Sequence, residues 1–355
     1  MYRNIPTNLI TGFLGTGKTT TILHLLSHAS AGQRWAVLVN EFGRIGVDGD
    51  LIQAEAVDHA EVFVEEVPGG CLCCVGSAGM QVGLNRLIQS SKPDRILIEP
   101  TGLGHPAQLI EQLTGPVYGD VIDLRATIGL VDARVLSDSR YTSHPNFQDQ
   151  LHLADVLVGN KLDCYSEADR NAFYDLVEAQ GSCKKTAVMV AHGGLEQAYL
   201  DEPRVERIAL FPEVHAFKAN SHHDHHDHHD HHDHHEQESS SGDWHRIEGS
   251  DDGFYTAGWS LPRDTQFDPD CLRKLMTISG VVRMKGFVPS SHGQMRINAT
   301  PGEWSEEVLE QQVNPRIEMI TTDRLDWQVI ERQLRDCLEN ACSRLGPLGA
   351  RCTLS

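Results

Sequence analysis

Residues 12–19 read GFLGTGKT, which fits the pattern G-x-x-x-x-G-K-[ST] at Gly12, Gly17, Lys18 and Thr19. This spacing serves phosphate binding. Glycines, Gly15 among them, let the backbone curl so that successive N–H groups point inward. A helix that starts behind the loop adds a partial positive charge. Lys18 is then placed for the β- and γ-phosphates and the Thr19 hydroxyl for Mg²⁺, with Thr20 in the same first turn.

Residues 160–163 read NKLD. An Asp at a strand end accepts two hydrogen bonds from guanine N1 and N2, a donor pair that adenine lacks, so the motif selects GTP. Asn160 and Lys161 brace the pocket and Asp163 reads the base. Alone the motif is short, and a bare polar turn is the other reading; downstream of a phosphate loop it is specific. Between the two motifs stands EPTG. Glu99 is placed to hold Mg²⁺ through water, and Gly102 to offer its N–H to the γ-phosphate; Glu99 also reads as a plain surface carboxylate. Lys18, Thr19, Glu99 and Gly102 are the expected catalytic set. Leu103 follows where fast GTPases carry a water-orienting Gln, so slow intrinsic hydrolysis is expected.

A second chemistry sits at GGCLCC, residues 69–74. In extended chain Cys71 and Cys73 face one side and Cys74 the other, and the Gly69–Gly70 pair makes a bend that could bring Cys74 in. Thiolates select Zn²⁺ or Cu⁺, with Co²⁺ also suited. Two or three sulfurs leave the site open, so a fourth ligand comes from elsewhere, from water or from a client, which suits transfer. Buried inert cysteines are the alternative. Glu41 and Asp48 lie in the stretch expected to act as the first switch over the γ-phosphate, and serve equally as metal ligands or solvated carboxylates.

The run from Ser221 to Asp243 holds ten of the twenty histidines in a His-His-Asp repeat. It can form no core and reads as disordered. His222, His223, His225, His226 and their repeats offer weak sites for Zn²⁺, Ni²⁺ or Co²⁺, as an antenna or reservoir; repeat expansion in a tolerant linker is the other reading.

The elements that must position these groups follow from hydrophobic pattern. Asn8–Thr11, Ala36–Asn40, Ile96–Ile98 and Val156–Gly159 read as buried strands, and Thr19–His28 as a helix with Ile22, Leu23, Leu25 and Leu26 inward. After the histidine run, GFYTAGWSL, GVVRMKGFV, GQMRINAT and PRIEMITT read as strands. DPDCLRKLMTI and LDWQVIERQLRDCLENA read as helices, the second with Leu325, Ile330, Leu334 and Leu338 inward. Arg283 and Lys285 read as a solvated face. The fold class is α/β: a P-loop GTPase domain with a mostly parallel sheet over 1–205, a linker with the histidine tract over 206–252, and a smaller α+β domain over 253–355.

The 355 residues suffice for two domains. A net charge of −20 argues against nucleic acid as partner. No apolar run of about eighteen residues and no N-terminal export signal is present, which excludes a membrane span and points to the cytoplasm. Thiols there stay reduced, and nine scattered cysteines fit that.

GFLGTGKTT, NEFG, GGCLCC, EPTG and NKLD, in this order, resemble the CobW-type P-loop GTPases, and IEPTGLGHPAQLIEQLTGPVY is most similar to the zinc-binding YeiR branch. RMKGFV resembles the family's C-terminal domain. The resemblance implies a metallochaperone that couples GTP, with Mg²⁺, to loading of Zn²⁺ at Cys71, Cys73 and Cys74 and to delivery to a client metalloprotein, with self-association a further use of the C-terminal part. Many relatives carry Glu after NEFG where this chain has Arg44, so a ligand there is not implied. The alternatives are a cobalt chaperone for cobalamin synthesis and a zinc storage or buffer protein.

Overall fold

The computed structural model describes residues 3–40, 61–67, 78–180, 186–211, 244–251, 254–263, 265–291, 293–309 and 313–338. The chain divides into two compact units, Met1–Asp233 and His234–Ser355.

In the first unit the elements run β1 (Ile5–Gly12), α1 (Lys18–Ser27), β2 (Arg34–Asn40), β3 (Glu61–Val67), α2 (Ala78–Ser91), β4 (Arg95–Glu99) and α3 (Pro106–Thr114). They continue through β5 (Ile122–Leu124), β6 (Ile128–Asp132), α4 (Ser139–Thr142), α5 (Pro145–Leu153), β7 (Val156–Asn160), α6 (Glu167–Ala179) and β8 (Thr186–Val190). The sheet has 8 strands in the order β3-β2-β4-β1-β6-β7-β8, with β5 alongside β1. Every pairing is parallel. Strands of such a sheet are covered on both faces, which is why they read as continuous apolar runs. Ile96, Leu97, Ile98, Val156, Leu157 and Val158 are all fully buried. On one face Met80, Leu84 and Leu87 of α2 and Leu109 and Leu113 of α3 close a core with Leu9, Ala36 and Ile98. On the other, Ile22, Leu25 and Leu26 of α1 pack with Ile10, Val37, Leu97 and Val158.

The consequence for function is geometric. In parallel strands all C-terminal ends point the same way, and ligands bind outside those ends. Gly12, Glu99, Asp132, Asn160 and Val190 end β1, β4, β6, β7 and β8, so they share one edge of the sheet.

The second unit holds β9 (His245–Asp251), β10 (Phe254–Ser260), α7 (Pro269–Leu275), β11 (Val281–Ser290), β12 (Gly293–Thr300), β13 (Glu303–Leu309), β14 (Arg316–Thr321) and α8 (Trp327–Asp336). Its 6 strands lie in the order β13-β12-β11-β14-β10-β9, all antiparallel. Leu272 and Leu275 of α7 and Trp327, Ile330 and Leu334 of α8 cover one face, over Trp259, Met284, Ile297 and Met319.

Four expectations change. His245–Asp251, assigned to the linker, is a strand paired along its length with β10. Lys285 is buried rather than solvated, because β11 lies between β12 and β14 and sets Lys285 directly opposite buried Glu318. The thiols are not all reduced: Cys271 of α7 and Cys337, which caps α8, form a disulfide where the two helices meet, with Cα atoms 5.2 Å apart. At the other end of the linker, residues 205–210 belong to the first unit. Arg207 pairs with buried Asp155 at 2.6 Å, and the Leu210 N–H donates to Asp149.

Candidate nucleotide-binding site

The phosphate loop joins the end of β1 to α1. Gly17 caps α1 in the left-handed region at φ 90°. A side chain there would be strained by the backbone, and its Cβ would stand 2.4 Å from Asn160 Nδ2. That Asn160 amide donates to the Thr16 carbonyl at 2.9 Å, while its Oδ1 accepts from the Gly193 N–H at 3.0 Å. One buried side chain thus ties the phosphate loop, the NKLD strand and the loop after β8. Lys18 Nζ lies inside the loop and donates to the carbonyls of Gly12 at 3.0 Å and Phe13 at 3.2 Å.

Thr19 Oγ1 donates to Glu99 Oε1 at 3.0 Å, and both residues are buried. A hydroxyl and a carboxylate, both hard oxygen donors, are the set that suits Mg²⁺ beside phosphates. The two loops that carry them also touch directly. A Cβ on Gly102 would lie 2.9 Å from the Leu14 N, so the close approach of EPTG to the phosphate loop requires glycine.

Sequence reasoning missed the element that holds this approach. Buried Gln150 of α5 donates to the carbonyls of Gly102 at 3.0 Å and Gly104 at 3.2 Å, and buried Asn146 donates to Leu103 O at 2.7 Å. The same helix supplies Phe147, which together with Tyr141 and His144 surrounds the buried Phe13 ring, centroids 5.2–5.9 Å apart. No local pattern marks these residues, since their partners are distant backbone. Leu103 is fully buried, so its side chain cannot orient a water.

At the NKLD end, Lys161 has φ 67° and places Nζ 3.4 Å from Asp132 Oδ2 at the end of neighbouring β6. Asp163 follows in a short 3-10 turn, with its side chain 35 % exposed. Its Oδ2 accepts from the Cys164 thiol at 3.2 Å and lies 4.0 Å from His192 Nε2. Partial burial pushes its pKa up, but the Cys164 thiol, backbone N–H groups and His192 outweigh that and hold the carboxyl below its usual value. An ionised acceptor is what the guanine N1–H and N2–H₂ edge requires. His192 and Asp132 were also missed. The available signals were apolar runs ended by polar residues, IGLVD and TAVMVAHGG.

The structure therefore brings Gly12, Gly15, Gly17, Lys18, Thr19, Glu99, Gly102 and Asn160 together, with Lys161 and Asp163 at one end. Thr20 faces solvent on α1. Cys71, Cys73, Cys74, Glu41 and Asp48, and His222, His223, His225 and His226 of the histidine tract, lie outside the described residues. Among the described residues no group of three or more His, Cys, Asp or Glu side chains is arranged to hold a metal ion, and no helix is long and apolar enough to cross a membrane.

A strand, glycine loop and helix at the C-terminal edge of a parallel sheet, with an acid from the neighbouring strand on the loop's threonine, define a P-loop nucleotide hydrolase. The family described as CobW/HypB/UreG, nucleotide-binding domain, matches residues 6–188, and the chain belongs to it. It is 40% identical over 331 residues to the protein named zinc chaperone YeiR of Escherichia coli (strain K12), a match that covers 92% of this chain and 96% of that one. It is 28% identical over 318 residues to the zinc chaperone CobW of a Sinorhizobium species, covering 82% and 84%. Among solved structures, the Zn(II)-bound YjiA GTPase from E. coli overlaps 94% of this chain and 99% of its own at 16% identity and a TM-score of 0.38, too loose an overlay to compare sites.

Proposed function

We propose that the chain is a GTP-hydrolysing zinc chaperone that loads zinc and passes it to a client metalloprotein. The observation that carries this reading is the Thr19–Glu99 hydrogen bond between the phosphate loop and the EPTG loop, which supplies the hydrolytic site its metal donors. The zinc half is supported by similarity to the protein named zinc chaperone YeiR over nearly the whole of both chains.

In this reading Lys18 Nζ, which donates to the Gly12 and Phe13 carbonyls, reaches phosphate oxygens. Thr19 and Glu99 hold the magnesium ion, which neutralises charge on the phosphates when bound. Gly102, held against Leu14, presents its N–H to the γ-phosphate, and Asp163 takes the guanine edge. Water breaks the bond between the β–γ bridging oxygen and the γ-phosphorus to give GDP and phosphate. With Leu103 buried, no side chain at that position orients the water, and intrinsic hydrolysis is slow.

Cys71, Cys73 and Cys74 follow β3 in sequence, and β3 ends at the same edge of the sheet as Glu99. Nucleotide state and zinc affinity are coupled through that edge, a coupling of about 1–3 kcal/mol being ordinary. The functional divisions are a GTPase domain over 1–205 to which residues 206–210 are added, the histidine tract as a weak reservoir, and a C-terminal domain over 253–355 to which His245–Asp251 is added. The test is zinc affinity with GDP against a non-hydrolysable GTP analogue, in the unaltered protein and in Cys71→Ser/Cys73→Ser. The expected result is tighter zinc binding with the analogue, and no tight site in the variant, which keeps its GDP affinity. Equal zinc affinity in both nucleotide states would remove the coupling.

A further inference from the structure

His24 and His28 stand on α1 and at its C-cap, four residues apart, so they share one face of the helix. Their rings lie 4.2 Å apart between centroids at an interplanar angle of 35°. His28 Nδ1 is 2.8 Å from the His24 carbonyl, which can only accept, so Nδ1 carries the proton and Nε2 carries the lone pair. Ser27 Oγ, 3.0 Å from the same nitrogen, also bonds the His24 carbonyl and holds the ring from a second side. This is how a metal-binding imidazole is prepared: the nitrogen that does not bind donates to a backbone carbonyl, which fixes tautomer and orientation. His28 is exposed and His24 half-buried, and neither ring nitrogen of His24 has a hydrogen-bond partner among the described residues. No acid or amine is paired with either ring there, so the pair is not an ion-pair network.

We propose that His24 and His28 form a binding site for a borderline divalent cation such as Zn²⁺ or Ni²⁺, with His28 Nε2 and one ring nitrogen of His24 as ligands. Two histidines at this helical spacing are a chelating pair, and imidazole selects zinc, nickel or copper over magnesium or calcium. Two protein ligands leave the remaining positions to water or to an incoming ligand, so the site binds reversibly and releases readily. It lies on the helix that begins with Lys18, and His24 lies beside Gly194, next to the glycine whose N–H holds Asn160. The inference stands on helix geometry and does not depend on the zinc chaperone reading.

The test is histidine footprinting with diethyl pyrocarbonate on the full-length chain, read residue by residue by mass spectrometry, at buffered free Zn²⁺ and in parallel at buffered free Ni²⁺. Residue-level reading separates this pair from the histidine tract. His245, exposed on β9, is the internal reference. The expected result is joint protection of His24 and His28 at one midpoint, and a rise of at least about tenfold in the His24 midpoint in His28→Gln. Circular dichroism checks that the variant is folded, and substitution of an exposed capping residue leaves the core intact. Modification of both histidines at the metal-free rate across the titration, or an unchanged His24 midpoint in His28→Gln, overturns the proposal.

Discussion

The two sheets of this molecule are similar in size and opposite in what they offer chemistry. In the N-terminal unit every strand runs the same way, so Gly12, Glu99, Asp132 and Asn160 arrive at one edge from four strands that are distant in sequence. In the C-terminal unit neighbouring strands alternate, so each edge collects hairpin turns instead of strand ends. Its buried charged groups, Lys285 opposite Glu318 on the inner strands β11 and β14, lie mid-strand and not at an edge. Parallel order is what converts scattered short motifs into a single site.

A glycine in each unit breaks or sharpens that contrast. Gly17→Ala strains a residue at φ 90° and drives Cβ into Asn160, the side chain that ties three loops. Backbone strain and the lost buried hydrogen bonds are together worth about 4 kcal/mol, a fall on the order of a thousandfold in GDP affinity by titration calorimetry. Retained affinity would mean that the convergent edge tolerates a broken tie. Glu99→Gln comes next. It keeps the shape and a hydrogen bond to Thr19 but removes the charge proposed to hold magnesium. The turnover number for GTP should fall roughly a hundredfold, with GDP affinity within about threefold of the unaltered protein.

A smaller effect is expected at the NKLD end, proposed to read the guanine. Asp163→Asn replaces an acceptor with a group that also donates, opposite the guanine N1–H and N2–H₂. A charged hydrogen-bond partner is worth about 1.5–3 kcal/mol, so preference for GTP over xanthosine triphosphate should drop by at least about tenfold in a competition assay. Unaltered guanine preference would show that Asp163 does not read the base.

What the sequence displayed and what it concealed follow the same division. Strands covered on both faces, Ile96–Ile98 and Val156–Gly159, stand out as apolar runs, and the motifs at their ends need only local order. The strands that escaped notice include Glu61–Val67, His245–Asp251 and Glu303–Leu309, each at the margin of its sheet, where half-exposed residues such as those of EVFVEEV and EWSEEVL dilute the pattern. Gln150 and Asn146 were hidden for another reason. They serve backbone carbonyls more than forty residues away, and no spacing in the chain encodes such a partner. Lys285 was misread because a lysine in a strand is normally solvated, and only the sheet order makes β11 an inner strand.

The smallest expected effect tests whether the two units are independent in chemistry. Gly302 lies in the turn between β12 and β13 at φ 83°, and a Cβ there meets nothing within 4 Å. The sequence TPGE has Pro and Gly at the central positions of a type II turn, whose second central residue needs positive φ. Gly302→Ala therefore adds backbone strain with no clash, about 1 kcal/mol. Four of the five tryptophans, Trp244, Trp259, Trp304 and Trp327, lie in the C-terminal unit, so tryptophan fluorescence during urea unfolding reports mainly on it. The fluorescence midpoint should move to lower urea while GDP affinity and GTP turnover stay within error of the unaltered protein. Gly17→Ala should give the reverse pattern, with nucleotide lost and this midpoint unmoved. If Gly302→Ala also weakens GDP binding, the antiparallel sheet takes part in holding the nucleotide edge, and the contrast drawn between the two sheets fails.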